Sequence, residues 1–214
     1  MITVFGEGRG FRVVWLLEEM GLAHRLRPVD LLAGVEGDAE FLAVNPAGFI
    51  PAIRDGDVTM VESIAIMEYL MARYGPTPLA PDPHDPAFPA YQQFLHLGEA
   101  GLAASIYFVG GARNFAPEAE RKNWSANQAL EVFESRLTLV TRQLARSPYL
   151  AGDTFTAADI SVTYALELAQ RFGGVALGEV ERAYMGRTSG REAYNRAMDT
   201  CQGRRAWLAA ASSQ

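Results

Sequence analysis

The chain has 214 residues, 49% of them hydrophobic and 21% charged, with a formal net charge of −6. This is a globular composition with room for one large or two small cores, and it lacks the basic surface that nucleic acid or an anionic membrane selects. A single cysteine, Cys201, excludes an internal disulfide and any Cys-x-x-Cys redox pair, and the absence of an apolar run after a basic stretch near Met1 makes a cytoplasmic protein the expectation.

Residues 2–5 read as a short buried strand and residues 11–20 as a helix. Val13, Leu16, Leu17 and Met20 lie on one side of that helix, Glu18 and Glu19 face water, and Gly21 stops it. A second strand follows over 24–29, and strand, helix, strand in this order favours a parallel, right-handed crossover. The run Asn45-Pro46-Ala47-Gly48-Phe49-Ile50-Pro51 then leads into a hairpin over 52–61 that turns at Asp55-Gly56. Pro51 is tolerated at a strand start, and it pushes Ile50 toward extended geometry. Should no strand pair with Ile50, its N–H and C=O are left for a peptide-like ligand.

Ser63 is the expected N-cap of the next helix, in which Ile66, Met67, Leu70 and Tyr74 share a face. Position 66 is neither Glu nor Gln, so no capping box forms and first-turn N–H donors stay open to solvent or an anion. The order is therefore βαβ then ββα, a mixed α/β domain over 1–75. Prolines crowd residues 76–89, which reads as a linker. The rest, 90–214, is expected to be an all-helical domain.

In that half Tyr91, Phe94, Leu95, Gly98 and Leu102 form one helical stripe, and Leu130, Phe133, Leu137, Val140 and Leu144 another. Gly110-Gly111 is expected to break the first long helix, Pro117 to sit early in the second, and Ser147-Pro148 to end it. Thr156-Ala157-Ala158-Asp159 is a capping box with Asp in place of Glu, and Phe155 with Ile160 supplies a hydrophobic staple. Gly173-Gly174 ends that helix, and two shorter ones are expected near 180–184 and 191–198.

Gly48-Phe49-Ile50-Pro51, a hairpin, then Glu62-Ser63 before an amphipathic helix resembles the glutathione-binding half of the cytosolic glutathione transferases, and the whole chain fits that family. The resemblance implies a thioredoxin-like N-terminal domain in which Pro51 is cis. It further implies that Ile50 pairs its backbone with the cysteinyl part of glutathione, that Glu62 and Ser63 hold the γ-glutamyl end, and that the protein is a homodimer. Glutathione would be the co-substrate, with no metal.

A thiol-activating enzyme needs a donor in the loop Gly6-Glu7-Gly8-Arg9-Gly10-Phe11, because the thiolate is the nucleophile. Most relatives place a Tyr, Ser or Cys there, and this loop has none. The candidates are the Arg9 guanidinium, the N–H groups of Gly8, Arg9 and Gly10, and the positive end of the helix near Phe11; the alternative is a plain tight turn. Glu7 would oppose a thiolate if it pointed inward. At Phe49 many relatives carry Lys or Gln, so the glycyl carboxylate needs another partner, with Arg9, Arg12 or a second subunit open.

The three glycines also suggest a dinucleotide fingerprint, but its third glycine would fall at Phe11 and no second βαβ half follows. Tyr107, Phe108, Phe115 and Trp124 are the candidate wall for an apolar electrophile, with helix core or a subunit contact as the alternative. His24, His84 and His96 show no metal-ligand spacing, and Cys201 reads as an inert thiol. The expected activity is conjugation of the glutathione thiol to small apolar electrophiles. Glutathione-dependent disulfide or peroxide reduction, and a non-catalytic glutathione-binding or scaffold role, are the alternatives.

Overall fold

The computed structural model of the chain describes residues 1–31 and 33–204; residues 205–214 of the expected helical domain lie outside the described residues. The contacts divide it into two compact units. One holds Met1–Pro76 and the described residues from Gly190 on, and the other holds Thr77–Ser189.

The first unit is thioredoxin-like. Strands β1 (Ile2–Phe5), β2 (His24–Arg27), β3 (Ala52–Asp55) and β4 (Val58–Val61) form one sheet in the order β2-β1-β3-β4. β1 runs parallel to β2 and antiparallel to β3, which pairs antiparallel with β4. β1 is buried at every residue, as a central strand covered on both faces must be, and its one polar side chain, Thr3, accepts from Arg25 Nε at 2.9 Å. Helix α1 (Phe11–Glu19) connects β1 to β2, and α3 (Ser63–Tyr74) follows the hairpin. A short helix, α2 (Ala39–Leu42), lies where no element was expected. Asp38 caps it by accepting the Phe41 N–H, and Phe41 anchors it in the core beside Phe5.

The last described helix, α9 (Glu192–Thr200), also belongs to this unit, whereas the sequence places the whole of 90–214 in one helical domain. The cause is packing on α1. Tyr194 meets Phe11 and Trp15 edge-on at 5.3 and 4.9 Å, Arg191 grips Glu19 with two bonds of 2.6 and 2.7 Å, and Arg196 Nε donates to Glu18 at 2.7 Å.

The second unit is helical: α4 (Phe88–His96), α5 (Ala104–Phe115), α6 (Trp124–Leu144), α7 (Ala157–Arg171) and α8 (Glu179–Ser189). Gly110 and Gly111 do not break a helix but lie inside α5. The irregularity falls earlier, in a π-helical segment Leu97–Ala103 that joins α4 to α5. Its carbonyls at Ala100 and Gly101 accept from Arg136 of α6, and Gly98 is required there because a β-carbon would strike Ser161 of α7. Pro117 does not enter the next helix either. It precedes a 3-10 turn over Glu118–Glu120, and α6 starts at Trp124 with the Asn123 side chain capping the Ala126 N–H at 2.9 Å.

Helix α7 is the core of this unit, buried at every residue from Ala157 through Ala169. The expected capping box at Thr156 and Asp159 is present. Asp159 does more than cap, since it also accepts the Leu150 N–H at 3.0 Å and the Tyr184 hydroxyl of α8 at 2.9 Å. Burial pushes its carboxyl pKa up, against the pull of these two donors and of the Thr156 N–H and hydroxyl.

Candidate functional site

The first unit brings three backbone features together. Asn45 is buried and folds the loop ahead of β3: its Nδ2 donates to the Phe49 carbonyl at 2.6 Å and its Oδ1 accepts the Ala47 N–H at 3.1 Å. Gly48 takes φ +70°, which lets the chain reverse there. The Ile50-Pro51 bond is cis. β3 begins only at Ala52, opposite Phe5, so among the described residues the N–H and C=O of Ile50 make no hydrogen bond. The Ile50 side chain packs on the cluster of Phe5, Phe41, Val44 and Ala52.

The glycine loop lies against that same side chain. A β-carbon at Gly6 would run into Ile50, one at Gly8 would stand 3.2 Å from its Cδ1, and one at Gly10 would strike the Gly6 carbonyl. The spacing that suggests a dinucleotide loop is thus explained by close packing of loop on loop. Gly8 is exposed and Arg9 half-buried. Arg12, the other arginine considered for the glycyl carboxylate, is fully buried in the first turn of α1.

Across the hairpin, the N-cap of α3 is Glu62 rather than Ser63, which is the first helical residue. No side chain caps this helix. Glu62 is exposed, with φ +68°, a left-handed conformation that costs a non-glycine residue about 1–3 kcal/mol. That geometry turns the chain so abruptly that a serine cap cannot form, and leaves the α3 N-terminus open at a buried Ser63. Glu62 and Ser63 therefore stand at an uncapped, positive helix end.

Glu7 is occupied elsewhere. Its Oε2 accepts the N–H of Arg204, 197 positions away, at 3.0 Å, a contact with no local sequence signal. Burial, with the Glu7 carboxylate adding to it and Arg204 opposing, pushes the buried Cys201 thiol from 9.0 up to about 12. The raised folded value means that this group stabilises the fold fully below pH 9.0 and that the contribution is lost as pH climbs to about 12. Alkaline denaturation of Cys201→Ala should lack this component, about 1.4 kcal/mol per pH unit; equal slopes would show that the thiol ionises as freely in the folded protein.

The four aromatic candidates lie in the second unit, one turned inward and three exposed. Tyr107 turns inward, its hydroxyl 3.1 Å from that of Tyr164 and its ring beside Phe172. Phe108, Phe115 and Trp124 are 68%, 74% and 76% exposed, and Phe115 also touches the Phe172 ring. Among the described residues no group of three His, Cys, Asp or Glu side chains is placed to hold a metal, and no helix is long and apolar enough to cross a membrane.

Residues 10–73 match the glutathione S-transferase N-terminal domain and residues 116–199 its C-terminal domain. The chain is 35% identical to glutathione S-transferase 3 of Zea mays over 158 residues, covering 69% of this chain and 68% of that protein. It is 30% identical to glutathione S-transferase 3 of Schizosaccharomyces pombe over 179 residues, 76% of this chain and 71% of that protein. This chain belongs to the glutathione S-transferase family. BphK, a bacterial glutathione transferase solved as a ternary complex, superposes on this transferase with TM-score 0.80 at 29% identity, over 94% of this chain and 99% of that one. The fungal transferase URE2P8 of Phanerochaete chrysosporium, solved with oxidized glutathione, shares the fold at TM-score 0.83 and 21% identity, over 96% of each chain.

Proposed function

We propose that this glutathione transferase holds the tripeptide on residues 1–75 and conjugates its thiol to small apolar electrophiles. The carrying observation is the unbonded main chain of Ile50 beside cis Pro51. It offers one donor and one acceptor to an extended peptide, as an added strand would use them. The γ-glutamyl end goes to Glu62, which answers the amino group, and to Ser63 with the open first turn of α3, which answer the carboxylate. Neighbours in this family solved with glutathione bound support that choice of ligand.

The thiol then lies over the glycine loop, where the Arg9 guanidinium and the Gly8 N–H stabilise a thiolate as its proton passes to solvent. The thiolate attacks the electrophilic carbon and displaces its leaving group. Tyr107, Phe108, Phe115 and Trp124 of the helical unit are the candidate apolar contacts for that electrophile, three of them with exposed rings. We further propose a homodimer working in the cytoplasm.

Two substitutions test the assignment. Ser63→Ala should weaken glutathione by about 1–3 kcal/mol in calorimetry, and unchanged affinity removes that hydroxyl from the site. Arg9→Ala should raise the pH at which the bound thiolate absorbs in the ultraviolet; an unmoved curve denies it an activating role. Turnover of a chlorinated nitroaromatic is the expected activity, and turnover of a small disulfide alone would make the enzyme a reductase instead.

A further inference from the structure

We infer that Glu7 is a positioning residue of the thiol-activating loop, held in place by the main chain at Gly203 and Arg204; this rests on the reading that the 6–10 loop activates the thiol. A carboxylate between two glycines beside a nascent thiolate is an electrostatic liability unless it is held aside. The structure holds it. Glu7 is tied at Oε2 to the Arg204 N–H at 3.0 Å, and its own carbonyl accepts the Phe11 N–H at 2.7 Å, which starts α1. The Arg204 guanidinium lies 4.4 Å from the Phe11 ring centroid, over that same first turn.

Gly203 is shaped for this contact, because a β-carbon there would strike the Glu7 carboxylate. Among the described residues, Arg204 and the neutral Cys201 thiol face Glu7. Behind them α9 is anchored on α1 by the Tyr194 cluster and by Arg191 and Arg196. The segment after α9 thus acts as a brace. It draws the Glu7 side chain aside and fixes Gly8 and Arg9 between two pinned residues, Gly6 against Ile50 and Phe11 under Arg204.

Charge and position make opposite predictions for the thiol pKa of bound glutathione, read from its ultraviolet thiolate band against pH. Were Glu7 only a nearby negative charge, Glu7→Gln and Glu7→Ala would both lower that pKa, and Gly203→Ala, which keeps the charge, would leave it where it is. As a positioning residue it behaves differently. Glu7→Gln keeps an acceptor for the Arg204 N–H and loses the charge, so the pKa moves down. Glu7→Ala loses the tether, and Gly203→Ala displaces it while leaving Glu7 chemically intact; both should raise the pKa by about one unit and lower kcat at neutral pH more than they raise KM for glutathione.

A downward shift in Glu7→Ala, or no shift in Gly203→Ala, overturns the inference while leaving the loop as the activating group. If wild-type protein binds glutathione with the thiol pKa of the free tripeptide, the activation reading fails first and the inference with it.

Discussion

Asp159→Ala should lower folding stability by about 3–5 kcal/mol, well beyond the value of a helix cap alone. The carboxylate takes the Thr156 N–H at 2.8 Å and hydroxyl at 3.2 Å, the Leu150 N–H at 3.0 Å and the Tyr184 hydroxyl at 2.9 Å. Alanine leaves the Leu150 and Thr156 N–H groups buried and unpaired and the Tyr184 hydroxyl with the main-chain carbonyl of position 159 at 3.4 Å, and it adds a void beside the most buried helix of the unit. Thermal unfolding should fall by about 10 °C. Glutathione affinity, measured below the new midpoint, should stay within twofold, about 0.4 kcal/mol, because Asp159 has no place in the proposed site. Asp159→Asn, which retains one acceptor oxygen, should lose less. A change under about 1 kcal/mol for alanine would show that Leu150 and Tyr184 find other partners and that only the cap was lost.

Asn45→Ala should affect binding more than any substitution that does not itself touch glutathione. The side chain holds Ala47 N–H and Phe49 C=O from inside the loop, and its removal strands both at about 1–3 kcal/mol per buried group. Freed of them, the 46–50 segment loses the fixed presentation of the Ile50 main chain. Glutathione should then bind about tenfold or more weakly in calorimetry, with the loss appearing as a less favourable entropy of binding as the loop is ordered. Asn45→Asp separates shape from hydrogen bonding. It keeps the acceptor for Ala47 but sets a carboxylate oxygen against the Phe49 carbonyl, so it should fail nearly as badly. Normal affinity in both variants would show that the cis Pro51 region holds itself without the clamp.

Local patterns were legible where the physics is local. The buried run of β1, the face of Ile66, Met67 and Leu70 on α3 and the box at Thr156 and Asp159 each involve neighbours within a few residues, and each stands in the structure. The hairpin also forms, but it turns at Gly56-Asp57, one residue past the expected pair, because Asp55 is still in register with Val58. Ile50 was legible as an extended position because Pro51 lies directly beside it, but that it stays unpaired was settled only by β3 beginning at Ala52. Ser63 was misread as the cap. A serine at a helix start is the common signal, but Glu62 adopts φ +68° under tertiary constraint and takes that place. Gly110-Gly111 was misread as a break because the cost of glycine in a helix is small against burial. Gly110 sits where a β-carbon would strike Phe172, so close packing selects it inside α5.

The residues alone determined a βαβ-ββα unit, a helical remainder and an extended Ile50 beside a proline without an N–H, because hydrophobic period, turn chemistry and proline's missing N–H act over a handful of positions. Only the tertiary structure decided that α9 joins the strand-bearing unit, that Glu7 is held by Arg204 197 positions away, and that Tyr107 faces inward while Phe108 and Trp124 face out. Those outcomes depend on which surfaces meet, and a contact between distant segments leaves no periodicity in either of them.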